Sequence, residues 1–217
     1  MKNTTKKLLV AVATLVAVSE SQAVSLVLTN GNFEATTANA FPGGFDIGGN
    51  DVPGWQNLTA ITDSGVENSS AWWGTYSGYS AFLAKGDGAY LMTTHTIQTG
   101  DEFTLGLFAK TWIGGTTSQF VATFFYDNPA NVIGTYSTGV TDTWTAYSNP
   151  TTIAATLASV GGTLGISILN TQTAVGGEPG YFRAVNFDNV TIDVVPEPSA
   201  TLLGGLGMLA LLRRRRA

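Results

Sequence analysis

Aromatic side chains crowd one short stretch of this chain, and their chemistry suits the binding of sugar rings. Trp72, Trp73, Tyr76 and Tyr79 lie within eight consecutive residues and are interspersed with small ones. Large amphipathic rings stack on sugars and lose little side-chain entropy when they are held in place. The stretch therefore predicts a platform for polysaccharide. The alternative is that the same rings cap the edge of the fold or fill its core.

Groups suited to catalysis are sparse. His95 is the only histidine, so a Ser-His-Asp triad would have to use it, and no serine stands in a Gly-x-Ser-x-Gly elbow. We expect His95 in an exposed turn or on an edge strand. The stretch Lys85-Gly86-Asp87-Gly88 is too short for a phosphate loop, and zinc and EF-hand spacings are missing. The acidic residues leave glycoside hydrolysis by a carboxylate pair open, because sequence does not give their separation.

The elements that position these groups follow from a two-residue alternation of apolar and polar side chains. It is clearest in residues 102–109, where Phe103, Leu105, Leu107 and Ala109 share one face, as a half-buried strand requires. Similar patterns, separated by Asn-Pro, Thr-Gly and Gly-Gly breaks, predict strands at residues 24–29, 79–83, 89–93, 119–126, 132–136, 144–147, 163–169 and 186–194. The pair Asp87-Gly88 predicts a hairpin between the strands at 79–83 and 89–93. Asn30-Gly31 predicts a sharp turn after the first strand, and the turn at Pro53-Gly54 is expected to deliver Trp55 to the core. Helical periodicity is missing, so the expected fold is all-β, a single antiparallel β-sandwich with jelly-roll topology.

The last predicted strand carries a carboxylate where an apolar residue is expected. Val190, Ile192 and Val194 share one face, and simple alternation puts Asp188 on that face too. A carboxylate on the apolar side of a strand is costly unless it is paired, hydrogen-bonded or coordinating a cation. Asp188 is therefore a candidate for one of these roles.

The C-terminal tail, residues 195–217, lacks the alternating pattern of the body and has three distinct parts. Its prolines restrict the preceding residues to extended geometry, so Pro196-Glu197-Pro198 stays accessible to a processing enzyme. Residues 200–212 are uncharged but number only 13, fewer than the ~20 residues that usually span a membrane. Four arginines close the chain: Arg213, Arg214, Arg215 and Arg216. Such a cluster is retained on the cytoplasmic side, which predicts a short transmembrane helix acting as a transient inner-membrane anchor. A buried core helix is the alternative.

The N-terminal residues 1–23 have the pattern of a secretory signal peptide. Lysines precede an apolar run at residues 8–18, and small residues lead to Ala23, the expected cleavage point for signal peptidase. An uncleaved membrane anchor is the alternative. Residues 24–194, one domain of 171 residues, hold three basic and thirteen acidic side chains, a formal charge of −10. This charge argues against nucleic acid and anionic membranes as partners. Without cysteine, the domain cannot rely on disulfides.

The tail resembles the PEP-CTERM sorting signal, in which a Pro-Glu-Pro motif, a short transmembrane helix and a basic cluster end the chain. The order of the parts matches over residues 195–217. The resemblance implies handling by an exosortase, a membrane cysteine protease or transpeptidase that acts near Pro196-Glu197-Pro198, in Gram-negative bacteria that make extracellular polysaccharide. It also implies export through the inner membrane to the cell envelope, the cell surface or the extracellular matrix.

The body resembles a galactose-binding-like jelly roll of the kind found in carbohydrate-binding modules. The resemblance lies in four short motifs: Asn30-Gly31-Asn32-Phe33-Glu34, Pro53-Gly54-Trp55, Gly100 leading into Phe103-Thr104-Leu105, and Phe187-Asp188-Asn189-Val190. In such modules a structural calcium ion often ties the first strand to the last, and Glu34 and Asp188 match the ligand positions. The alternative is that Asp188 caps a turn and Glu34 is solvated.

These features predict an exported, non-catalytic protein of the cell surface or extracellular matrix that binds polysaccharide. Two other functions stay open, a purely structural or adhesive matrix component without a sugar site and an enzyme that acts on glycosides. Exposure of the aromatic stretch separates the first two possibilities, because rings buried in the sandwich could not stack on a sugar.

Overall fold

The strand with the clearest alternation is present in the computed structural model of the chain as β6, Glu102–Thr111. Its side chains alternate between half-buried and buried positions over the full length of the strand. The structure describes residues 22–35, 52–59, 64–67, 78–111, 118–172 and 183–196. In this part of the chain no helix has the length and apolarity needed to cross a membrane. The helix predicted for the C-terminal tail lies outside the described residues.

The described residues form twelve strands. They are β1 (Val24–Ser25), β2 (Trp55–Asn57), β3 (Gly65–Glu67), β4 (Ser80–Leu83), β5 (Gly88–Thr96), β6 (Glu102–Thr111), β7 (Ser118–Tyr126), β8 (Asn128–Val140), β9 (Thr145–Ser148), β10 (Ile153–Ala154), β11 (Thr163–Asn170) and β12 (Val185–Val195). Every predicted strand is represented. The short strands β2, β3 and β10 are missed because two or three residues cannot show an alternation. Strand β8 runs through Asn128-Pro129, where the sequence predicts a break.

The strands form two antiparallel sheets, which confirms the predicted β-sandwich. One sheet has seven strands in the order β10-β6-β12-β4-β3, with β1 also pairing with β12 and β9 also pairing with β6. The other sheet has five strands in the order β2-β5-β11-β7-β8. From β4 to β7 each successive strand switches sheet, which is the crossing pattern of a jelly roll.

The hydrophobic core lies between the sheets and uses the inward side chains of both. Phe103 of β6 stacks on Phe124 of β7 across the interface, with ring centroids 5.6 Å apart. Both rings are fully buried. Burial of one such side chain contributes about 1.5–3 kcal/mol to folding. Contacts of this kind between the sheets therefore stabilise the sandwich in a chain without disulfides.

The hairpin predicted around Asp87-Gly88 is wrong. Strand β4 pairs with β3 and β12, whereas β5 pairs with β2 and β11 in the other sheet. The chain does turn here, because the Asp87 N–H donates to the Ala84 carbonyl at 3.1 Å. Asn170 at the end of β11 fixes the turn, since its N–H donates to Asp87 and its carbonyl accepts from Gly86. The turn residues thus reverse the chain, but they do not determine whether the strands before and after the turn pair with each other.

Candidate functional site

The first turn of the body packs directly against the last strand. Asn30 adopts a positive φ of 56°, and the carbonyl of Gly31 accepts the Val190 N–H at 2.8 Å. A Cβ atom at Gly31 would lie 2.6 Å from the Val190 carbonyl oxygen. Only glycine permits this approach. The predicted Asn30-Gly31 turn is confirmed, and its position brings the opening and closing motifs of the body together.

An aromatic cluster holds three of these motifs in place. The ring of Phe33 is 5.2 Å from that of Trp55 and 5.2 Å from that of Phe187, between centroids. Trp55 and Phe187 are 6.0 Å apart in an edge-to-face arrangement. The indole N–H of Trp55 donates to the Asn30 carbonyl at 3.1 Å. The prediction that the Pro-Gly turn delivers Trp55 to the core is therefore confirmed, and its partners come from both ends of the body.

Glu34 follows Phe33 and connects this cluster to the end of the aromatic stretch. Its side chain is exposed, yet its Oε1 accepts the backbone N–H of Tyr79 at 3.0 Å. Gly78 lies against the same carboxylate with a φ of +60°, and a Cβ there would collide with the Glu34 oxygens. The expectation that Glu34 is merely solvated is incomplete, because its carboxylate fixes the backbone at Gly78 and Tyr79.

Asp188 lies on the opposite face of β12 from the predicted one. It pairs with Phe108 of β6, while Thr191 pairs with Gly106, so β12 takes three residue steps where β6 takes two. This β-bulge, with Asn189 at a φ of 50°, shifts the alternation by one residue. A face prediction from uninterrupted alternation therefore fails at Asp188. The carboxylate is nevertheless 1% exposed, and its Oδ1 accepts the Asn189 N–H at 2.6 Å.

A buried hydroxyl lies on the neighbouring strand. Strands β4 and β12 pair Ala81 with Phe187 at the end of their ladder. Ser80 directly precedes one member of this pair and Asp188 directly follows the other. The Oγ of Ser80 is buried and has no hydrogen-bond partner among the described residues. Tyr79, whose N–H binds Glu34, directly precedes Ser80. The start of β4 is thus the element that connects the two predicted metal ligands.

These oxygens fit a hard cation in type. Calcium prefers carboxylate, hydroxyl and carbonyl oxygens and takes about six to eight of them. Glu34 and Asp188 offer carboxylates and Ser80 offers a buried hydroxyl. Within the described ranges no three His, Cys, Asp or Glu side chains gather closely enough to hold a metal by themselves. A calcium ion here would therefore need backbone carbonyls or water to complete its shell.

The structure describes one of the four aromatic residues of the predicted sugar platform, Tyr79. Tyr79 is half-buried and packs against the hydrophobic core, which is what the alternative interpretation of the stretch expects of it. Trp72, Trp73 and Tyr76 lie outside the described residues, so for them the platform stays a prediction. The described end of the stretch is held by Glu34.

His95 has a different setting from the one expected. It lies near the end of β5, which is an interior strand of the five-stranded sheet. Its Nε2 is 2.7 Å from Oδ2 of Asp101, and the two side chains are 21% and 2% exposed. The same oxygen of Asp101 accepts the Gln98 N–H at 2.8 Å. The expectation of an exposed turn is wrong, because the ring is half-buried at the end of β5, beyond residues 89–91 where β2 pairs with that strand. The contact of the ring with Asp101 fixes the turn that joins β5 to β6.

Sequence reasoning missed an aromatic and polar patch on the outer face of the five-stranded sheet. The Tyr90 hydroxyl on β5 donates to the Gln56 side chain on β2. The Tyr90 ring packs edge-on against Phe125 of β7, with centroids 5.9 Å apart. Phe125 in turn covers Gly165, where a Cβ would collide with the ring. The sequence does contain a signal for this patch. Side chains alternate along a strand, so the burial of Leu91 in the core places its neighbour Tyr90 on the outer face.

The last strand of the body runs directly into the tail. Strand β12 ends at Val195, and Pro196 follows as an exposed residue. Residues 194–216 match the PEP-CTERM protein-sorting motif. The chain carries this sorting motif. It implies export, processing by an exosortase and sorting to the cell envelope or surface.

The predicted processing points lie close to one another where the structure describes them. Ala23 is exposed, and the next residue, Val24, pairs with Val194 at the start of the sorting motif. The two ends of the body therefore leave the seven-stranded sheet side by side. The other predicted sorting residues lie outside the described part of the chain: Glu197, Pro198, Arg213, Arg214, Arg215 and Arg216.

Solved structures share the sandwich architecture. A cyclase from Fischerella sp. TAU in complex with 4-(1H-indol-3-yl)butan-2-one is 19% identical, covers 80% of this chain and 98% of its own, and has a TM-score of 0.55. A CBM4 structure gives 15% identity over 77% of this chain and 99% of its own, with a TM-score of 0.47. The CBM22-1 xylan-binding domain of Xyn10C from Paenibacillus barcinonensis gives 14% identity over 83% of this chain and 99% of its own, with a TM-score of 0.47. At these identities the similarity concerns the fold alone. Curated protein sequences gave no match.

Proposed function

We propose that the chain is an exported, non-catalytic protein whose body binds polysaccharide at the cell surface or in the extracellular matrix. Signal peptidase cleaves after Ala23, the tail anchors the body briefly in the inner membrane, and an exosortase then removes the tail near Pro196-Glu197-Pro198. The observation that carries the sorting part is the sorting motif, which begins in the last strand at Val194. The folded body is therefore delivered with almost no linker between it and the anchor.

Cell fractionation tests the role of the tail. We expect the full chain to pass through the membrane fraction before it reaches the surface, and a chain ending at Val195 to miss that stage. Truncation at Val195 keeps all of β12, so the body should fold equally well. A host without an exosortase serves as the control, because the full chain should stay in its membrane. Identical localisation of the two chains in both hosts would refute the sorting role.

The proposal that the body binds polysaccharide is supported by the aromatic stretch and by the contacts that attach this stretch to the body. The Tyr79 N–H binds the Glu34 carboxylate, and Phe33, the residue before Glu34, is locked into the aromatic cluster of the core. The end of the stretch is thus held by a rigid part of the fold. A binding surface presented on a preorganised backbone loses less entropy on binding.

A glycan array with the full-length chain tests sugar binding. We expect retention on at least one polysaccharide, and a loss of roughly tenfold or more in affinity for Trp72→Ala/Trp73→Ala, because removing aromatic anchors costs 1.4 kcal/mol or more. Tyr90→Ala on the five-stranded sheet is the matched control. Loss of binding with Tyr90→Ala alone would move the site to that sheet. Absence of any retention would favour the purely structural or adhesive role, and release of reducing sugars would favour a glycoside-acting enzyme.

We further propose that a structural calcium ion joins the first turn to β12 through Glu34 and Asp188, with Ser80 contributing its hydroxyl. When bound, the ion would neutralise two carboxylates and link segments that are distant in sequence. The buried Ser80 hydroxyl supports this proposal, because a buried polar atom without a hydrogen-bond partner otherwise destabilises the fold.

Thermal unfolding with calcium and with a chelator tests this site. At calcium a hundredfold above its Kd, we expect a Tm increase of roughly 5–10 °C for a domain of this size. Asp188→Asn should abolish the increase, whereas Asp193→Asn on the same strand should keep it. An equal Tm in calcium and in chelator for the unmodified chain would refute the site, whatever the result for sugar binding.

A further inference from the structure

Strand β8 forms one edge of the five-stranded sheet. Among the described residues it pairs only with β7, so its other side presents a row of backbone N–H and C=O groups. Natural proteins usually protect such an edge with charges, prolines or bulges, because a second strand can add to it. Strand β8 is 13 residues long. A long edge strand offers many backbone groups to a second strand, so both of its halves need protection.

The two halves of β8 differ in this respect. The first half contains Pro129, and the ladder to β7 is irregular where Val132 and Asn128 pair with Phe125 and Tyr126. The second half, residues 134–140, pairs with residues 118–124 without a break. Its sequence, Gly-Thr-Tyr-Ser-Thr-Gly-Val, contains no proline and no charged residue. In the part of the chain that the structure describes, the edge is therefore protected at residues 128–133, whereas no strand other than β7 pairs with residues 134–140.

We propose that residues 134–140 of two copies of this chain pair in antiparallel fashion about a two-fold axis at Ser137. The two five-stranded sheets would then form one continuous ten-stranded sheet. Such a contact about a two-fold axis is self-complementary. When a residue of the first copy faces a given residue of the second, the same two residues also face each other with the copies exchanged. The exposed side chains of Thr135 and Ser137 are small enough to permit the approach of a second strand.

Charge favours a second copy meeting at this edge rather than elsewhere on the body. The body has a formal charge of −10, so two copies repel each other over most approaches. Residues 134–140 add nothing to that repulsion. A register centred on Ser137 also places Asp142 opposite Val132 of the other copy, so that no acidic pair forms. This association is independent of the tail and of sugar binding.

Cysteine cross-linking tests the register directly, because the natural chain has no cysteine and every disulfide must therefore join two copies. Directly opposed residues in an antiparallel pair have Cα atoms about 4.5–5.5 Å apart, a separation that a disulfide can bridge. In the full-length chain, purified in a mild detergent, we expect Ser137→Cys to give disulfide-linked dimers under mild oxidation. Thr94→Cys, exposed on β5 and three strands away from β8 in the same sheet, should stay monomeric.

Two further variants make the test decisive. In the proposed register Thr135 meets Gly139 of the other copy, so Thr135→Cys/Gly139→Cys should cross-link, whereas each single variant should not. Gly139 has room for a side chain, since no atom lies within 4 Å of a Cβ there. Ser137→Lys should weaken self-association by about tenfold in sedimentation equilibrium, because two lysines would be opposed, while Thr94→Lys should not.

The proposal is overturned if the full chain sediments as a monomer at every concentration, or if Ser137→Cys cross-links no more than Thr94→Cys. It is also overturned if self-association is unaffected by Ser137→Lys, which would place the contact elsewhere. Capture of an extended peptide by a monomeric chain at this edge would replace a second copy as the occupant and would likewise count against it.

Discussion

Replacing Phe187 with alanine should lower the free energy of unfolding by about 3–5 kcal/mol, the usual cost of deleting a buried phenylalanine ring. Its side chain is fully buried, and its ring contacts both Phe33 and Trp55. The loss should be at the upper end of this range, because the cavity would open among rigid rings from three separate motifs, which cannot easily move to fill it. Urea or guanidinium unfolding of the variant gives the value.

The matched control for this prediction is Leu157→Ala. Leu157 is 91% exposed, so its truncation should change the free energy of unfolding by less than about 0.5 kcal/mol. If Phe187→Ala is too unstable to purify, Phe33→Leu keeps much of the volume and should cost roughly 1–2 kcal/mol. A cost for Phe187→Ala no larger than that for Leu157→Ala would mean that the aromatic cluster does not stabilise the sandwich.

Alanine at Gly54 should destabilise the fold by about 2–4 kcal/mol, more than alanine at any glycine with open space around it. Gly54 has a φ of +88°, and a Cβ there would lie 2.7 Å from the carbonyl oxygen of Thr29. The strained backbone and the overlap add together. The overlap is costly because its partner is a backbone atom and not the end of a flexible side chain.

Gly86→Ala separates these two contributions. Gly86 has a similar φ of +78°, but nothing lies within 4 Å of a Cβ built there. It should therefore cost only the backbone term, about 1 kcal/mol. Chemical unfolding of both variants checks the difference. Equal losses would show that the contact between Gly54 and Thr29 is not tight in solution.

The strands were predictable because their signal is local. A strand with one buried face must alternate, and β6 does so at every position. The turn at Asn30-Gly31 was equally predictable, because Asn and Gly tolerate the positive φ that such a turn needs. The sorting tail has its own local order of prolines, apolar residues and arginines, which is recognisable without any fold.

The candidate site was predictable only as a set of residue types. Glu34 and Asp188 were identified through motifs at opposite ends of the body. Their environments depend on the Tyr79 N–H and on the pairing of β12 with β4 and β6. Ser80 gives no signal in the sequence, because an isolated serine at the start of a strand is common. Its proposed place in the calcium site comes only from the burial of its hydroxyl at the start of β4.

Local sequence patterns are enough to predict the all-β class, the longer strands, the turns and the sorting tail, because each of these depends on neighbours within a few residues. The sheet that each strand joins depends on contacts between distant segments, as the failed hairpin between β4 and β5 shows. The tertiary structure also decided the face of Asp188, because the single extra residue of the bulge shifts the alternation. Pairing between distant segments is chosen by the packing of the whole core, and no short window of the sequence contains that information.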